Sequence, residues 1–175
     1  MNQFKLGSLW MLVAAFFFAI MGVLVKIASI KFSSAELVFY RSLFGLVFIF
    51  SYVKIKKLSL KTPYLGKQMS RSIIGFISMV MFFYAIGQLP LATSITLNYT
   101  SPLAMAAILT FALKEKPRKI LIIALMTGFL GVTLLLKPSI HQGQLLAGGL
   151  GLLSGLLAGL VYVHVTQLGR AGEPD

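Results

Sequence analysis

Two cations and one polar helical stretch are the groups in this 175-residue sequence with chemistry to offer. Arg41 and Lys26 both fall inside otherwise apolar runs. A charge at such depth usually faces a cavity or a partner, because hydrocarbon solvates it poorly. Between them the two cations would favour an anionic or zwitterionic small molecule. The polar stretch carries Thr93, Ser94, Thr96, Asn98, Tyr99, Thr100 and Ser101, followed by Pro102. Proline has no N–H, so the carbonyl of Asn98 loses its helical donor. Lipid cannot replace that donor; water, a neighbouring helix or a substrate must.

Each candidate has a plainer reading beside it. Arg41 lies eight residues past Ser33, roughly 12 Å along a helix, and a long Arg can snorkel to the headgroups instead. Lys26 stands near a span end, where snorkelling is easier still. Ser94, Asn98 and Ser101 share one helical face at i, i+4 and i+7, which suits a cavity wall or hydrogen-bonded packing between helices equally. Tyr84 and Tyr99 are placed to stack on a substrate, although Tyr84 also suits an interfacial aromatic belt. Ser33 and Glu36 have the spacing of a capping box, with the Ser capping the helix and the Glu returning a hydrogen bond. Glu115 sits among Lys114, Lys116 and Arg118, the setting of a solvated and weak loop pair. Gly151, Gly155 and Gly159 recur every four residues. That spacing lets helices approach closely, within the chain, against a further segment or in a homodimer.

Enzyme chemistry finds no constellation. There are no cysteines, which excludes disulfides, Cys-ligated zinc, Fe–S clusters and a thiol nucleophile. The four acids, Glu36, Glu115, Glu173 and Asp175, are dispersed. His141 and His164 are far apart and have no carboxylate nearby in sequence. The expectation is no catalysis, no metal and no cofactor.

The elements that must position these groups are transmembrane helices. The sequence is 58% hydrophobic and 11% charged, against roughly 25% charged in soluble domains. Six stretches reach the length of a helical span: about 6–28, 35–53, 70–86, 91–113, 120–136 and 145–165. They are too long and too uniformly apolar for barrel strands. The net charge of +12 is no nucleic-acid signature, because the basic residues occupy short gaps between spans. Lys54, Lys56, Lys57, Lys61, Lys67 and Arg71 crowd the gap after span two, and Lys114, Lys116, Arg118 and Lys119 the gap after span four. The alternate gaps hold Lys31, nothing, and Lys137. Basic gaps face the cytoplasm, so the N-terminus is expected inside, in the plasma (bacterial inner) membrane. Span six aligns weakly with span one at an offset of 141 residues (Gly7 on Gly148, Leu9 on Leu150). With five spans between the copies, the second would be inverted, as in many secondary transporters.

A set of motifs from Phe83 to Pro138 resembles the EamA domain of the drug/metabolite transporter superfamily. It comprises Phe83-Tyr84-Ala85, the turn from Leu89 to Thr93, the mid-span Ser101-Pro102, Glu115 beyond a span end, and Gly128–Gly131 in the next helix. Upstream, the run from Glu36 to Arg41 resembles the start of the family's second helix. The resemblance implies an all-α integral membrane protein of ten spans in two inverted repeats of five. It also implies alternating-access transport of small metabolites or drug-like compounds. Residues 1–138 would then be one five-helix repeat and 139–175 the first helix of a second, so a truncated chain is expected. The alternatives are a half-size unit active as a homodimer, or a fragment that does not transport.

Overall fold

The computed structural model describes residues 2–56, 64–111, 119–136, 139 and 143–170, apart from the side chains of 2–9, 11, 135 and 136. Glu115, His141 and the expected boundary at 138/139 lie outside the described residues or at their edge. Seven helices are present among them: α1 (Asn2–Ala28), α2 (Ser34–Lys56), α3 (Leu65–Gln88), α4 (Leu91–Asn98), α5 (Ser101–Phe111), α6 (Lys119–Leu136) and α7 (Leu145–Arg170). The helices α2, α3 and α7 are each long and apolar enough to cross a bilayer by themselves. The 27 residues of α1 and the 18 of α6 correspond to about 40 and 27 Å. With α4 and α5 counted as one interrupted span, the described residues form an all-α, multi-pass membrane protein with six spans.

The span expected at 91–113 is interrupted at the marked proline: the helix ends at Asn98 and restarts at Ser101. Pro102 is the cause. It withdraws the donor for Asn98 and disfavours helical backbone at the residue before it. The chain tightens instead: Thr100 N–H donates to the Leu97 carbonyl at 3.2 Å, and its Oγ1 donates to the same oxygen at 2.7 Å. The Thr100 carbonyl then opens α5 by accepting from Ala104 N–H at 2.8 Å. Pro102 falls in the first turn of α5, where no N–H is needed.

The start of α2 forms the expected capping box. Ser33 N–H and Oγ donate to Glu36 Oε2 at 2.7 and 2.9 Å, and Glu36 N–H donates to Ser33 Oγ at 3.3 Å. Two clusters of buried apolar side chains tie the helices together. Val25, Val38, Phe82, Phe83 and Ile86 join α1, α2 and α3, while Ala85, Leu89 and Ala147 join α3 to α7. Outside these seams large apolar side chains face outward, including Phe48 at 75% and Leu134 at 75% exposure. Such a surface suits lipid.

The glycine stripe of α7 holds the bundle together. A Cβ on Gly151 would stand 2.9 Å from Leu97 Cδ1, and one on Gly159 would stand 2.7 Å from Ala104 Cβ and 2.9 Å from the Ser101 carbonyl. At Gly155 it would collide with Thr100 Oγ1 and lie 2.8 Å from the Leu97 carbonyl. These close approaches run parallel along α4–α5 and α7. Against α3, α7 is antiparallel: Ala85 meets Gly151, Ser78 bonds Ser154, and Gly75 meets Val161. The stripe therefore packs within the chain, directly on the break in span four.

Candidate functional site

The helix break and the α3–α7 seam leave two adjoining cavities. The smaller, about 200 Å³, is lined by Phe18 and Met21 of α1, Arg41 of α2, Gly75, Ser78, Met79, Phe82 and Phe83 of α3, Asn98 of α4, and Ala158, Val161 and Tyr162 of α7. The α3 residues recur at i, i+3, i+4 and i+7, so one face of that helix supplies the wall. The larger, about 380 Å³, is lined by Ala14, Ala15, Phe18, Ala19 and Gly22 of α1, Phe82, Ile95, Asn98, Tyr99, Ser101, Pro102 and Tyr162. Phe18, Phe82, Asn98 and Tyr162 line both. Asn98 thus stands at their junction, where α4 ends.

The Asn98 amide and the Arg41 guanidinium are among the polar groups there that the fold does not consume. The side-chain amide of Asn98 has no hydrogen-bond partner among the described residues. The Arg41 guanidinium donates to the Met79 thioether, a weak acceptor, and pairs with no carboxylate among the described residues. The wall also contains Ser78, but its hydroxyl is spent on the Ser154 carbonyl at 2.8 Å, and Ser154 Oγ donates in turn to Gly151 at 2.6 Å. The site can offer one permanent positive charge, one amide and several aromatic faces.

The structure separates the residues singled out from the sequence. Arg41 and Asn98 line one cavity, and Asn98, Tyr99, Ser101 and Pro102 line the other. Ser94 is fully buried and its Oγ donates to the Ala85 carbonyl at 2.9 Å. It therefore pins the α3–α4 hairpin and shares no open face with Asn98. Tyr84 packs beside Ala85, Leu89 and Ala147 and lines neither cavity. Lys26 is likewise apart. Its Nζ donates to the carbonyls of Ile86, Gly87 and Leu89 at 2.8, 3.0 and 2.8 Å. An ammonium has three donors, and all three cap the end of α3. Gln144 and Thr93 complete that corner, Gln144 by donating to the Gln88 carbonyl at 3.0 Å and Thr93 by donating to the Ser139 carbonyl at 3.0 Å.

Phe18, Phe82 and Tyr162 were not singled out from the sequence, nor was the small face of α1. A signal for most of these features was present. Tyr162 is seven residues after Gly155, in phase with the glycine stripe, and Ala15, Ala19 and Gly22 recur at i, i+4 and i+7. Phe18 falls on that same face, at i+3 from Ala15, whereas Phe82 stands in a Phe-rich run beside Phe83 that does not single it out.

Similarity to known proteins converges on one group. Residues 5–137 match the model of the EamA-like transporter family. A Helicobacter pylori protein named as an uncharacterized transporter is 31% identical over 170 residues, covering 95% of this chain and 57% of its own length. The pseudopaline exporter CntI of Pseudomonas aeruginosa is 29% identical over 168 residues, 96% of this chain and 59% of that protein. A riboflavin transporter of Vibrio cholerae is 31% identical over 137 residues, 75% of this chain and 46% of that protein. The chain thus spans less than two thirds of the length of these relatives. No solved structure matches it.

Proposed function

Because the chain belongs to the EamA-like transporter family, we propose that it supplies one wall of an alternating-access pathway for small organic solutes. The observation that carries this is the pair of unconsumed groups, Arg41 and Asn98, lining one cavity inside an apolar bundle. An unpaired cation at membrane depth is costly. A substrate anion would relieve that cost, so anionic or zwitterionic metabolites are the substrate class. The broken span beside Asn98 supports the same reading, since discontinuous helices form binding sites in many transporters. Residues 1–138 act as one repeat, and α7 opens an inverted second repeat. The membrane is the bacterial inner membrane, with the N-terminus cytoplasmic by the distribution of Lys and Arg.

The absence of native cysteines makes the test direct. Cysteines placed singly at 41 and 98 react with a membrane-impermeant thiol reagent in intact or inverted vesicles, and a bound anion slows the reaction. If both positions stay unreactive from either side, no aqueous pathway reaches them and the proposal fails.

A further inference from the structure

Aromatic rings line both cavities. Phe18, Phe82 and Tyr162 reach them from α1, α3 and α7, and Tyr99 closes the larger one from the helix break. Ala15, Ala19 and Gly22, on the same face of α1 as Phe18, add small residues to the wall of the larger one. Phe18 is 53% and Tyr162 47% exposed, so neither ring is taken up by the core, while Phe82 at 6% exposure also packs in the seam of α1, α2 and α3. Polar groups are sparse: Asn98 lines both cavities, and Arg41 lines the smaller one. The Tyr162 hydroxyl, like that amide, has no partner among the described residues.

From this arrangement we infer that the ligand is a planar aromatic or heteroaromatic carboxylate. Its ring lies among Phe18, Phe82 and Tyr162, its polar edge meets the Asn98 amide, and its carboxylate meets Arg41. Ring faces favour planar π-systems over saturated rings of equal size, by stacking and edge-to-face contact. The unpaired guanidinium favours a planar carboxylate, which it can hold through two parallel N–H donors. This inference rests on the proposed pathway and adds what the pathway selects.

The test uses three probes of nearly one size on the purified chain in lipid nanodiscs: 2-naphthoate, its saturated analogue decahydro-2-naphthoate, and the neutral 2-naphthamide. Empty nanodiscs correct for partition into lipid. Naphthoate is expected to bind about tenfold more tightly than either comparator, the size of one good ring or ion contact. Phe18→Leu and Tyr162→Leu keep apolar volume and should erase the preference for the flat ring while leaving the preference for acid over amide. Arg41→Gln should do the reverse. Equal binding of naphthoate and its saturated analogue overturns the aromatic class and leaves the pathway standing. Failure of all three probes to bind, with positions 41 and 98 still labelled by aqueous reagent, overturns the ligand class alone. Failure of labelling as well removes pathway and ligand together.

Discussion

At the residue scale, two cations of similar sequence setting end in opposite circumstances. Lys26 spends every donor on three carbonyls at the end of α3, groups that a helix terminus otherwise leaves bare. Removing the ammonium leaves those carbonyls without a donor in an apolar setting. Lys26→Met is therefore expected to cost about 1–3 kcal/mol of stability, read as a lower unfolding midpoint in detergent, with labelling of a cysteine at 98 unchanged. Arg41 is exposed, and its side chain's hydrogen bond among the described residues goes to a thioether. Arg41→Gln should alter stability by no more than about 0.5 kcal/mol and, on the proposed pathway, abolish the slowing by an anion of labelling at a cysteine placed at 98. A large drop in stability with that slowing retained would make Arg41 a structural residue. The depth of Arg41 was legible from the sequence, because depth is a matter of counting. The fate of Lys26 was not, because its acceptors lie 60–63 residues away along the chain.

At the element scale, the break between α4 and α5 and the stripe on α7 are one device. Pro102 opens the helix, and the bare glycines let α7 come against the opened turn. Gly155→Ala is expected to cost about 1–3 kcal/mol as overpacking, because its new methyl meets Thr100 and the Leu97 carbonyl. Gly149→Ala is the control: nothing stands within 4 Å of its Cβ position, so the better helix former should stabilise by up to about 1 kcal/mol. Equal effects of the two substitutions on thermal unfolding would refute the close approach. Pro102→Ala returns a donor to the Asn98 carbonyl, so α4 and α5 should fuse. Slower amide hydrogen exchange across residues 100–104 would report it. The proline and the glycine spacing were both readable in the sequence. Their contact was not, since the stripe fits a neighbouring helix, another segment or a second copy equally well until coordinates choose.

At the scale of the whole molecule, the proposed orientation rests on charge. Reporter fusions after Lys57 and after Lys119 should read cytoplasmic, and fusions after Lys31 and after Gly143 should read external. An even mixture at Lys57 would instead favour oppositely inserted copies. The distribution of Lys and Arg, the length of each apolar run and the all-α class are local properties, fixed by about 20 residues at a time. Any stretch that must satisfy its own backbone in lipid becomes a helix, so the sequence by itself determined six spans and the membrane setting. It also marked Arg41, Asn98 and Pro102 as residues out of place in hydrocarbon. Only the tertiary structure decided which of the marked residues meet. It put Arg41 and Asn98 on one cavity, gave Lys26 to the end of α3 and Ser94 to the hairpin, and brought in Phe18, Phe82 and Tyr162. The reason is physical. In a uniformly apolar helix no face is distinguished by hydropathy, so the inward face is chosen by shape and by hydrogen bonds between residues distant in sequence.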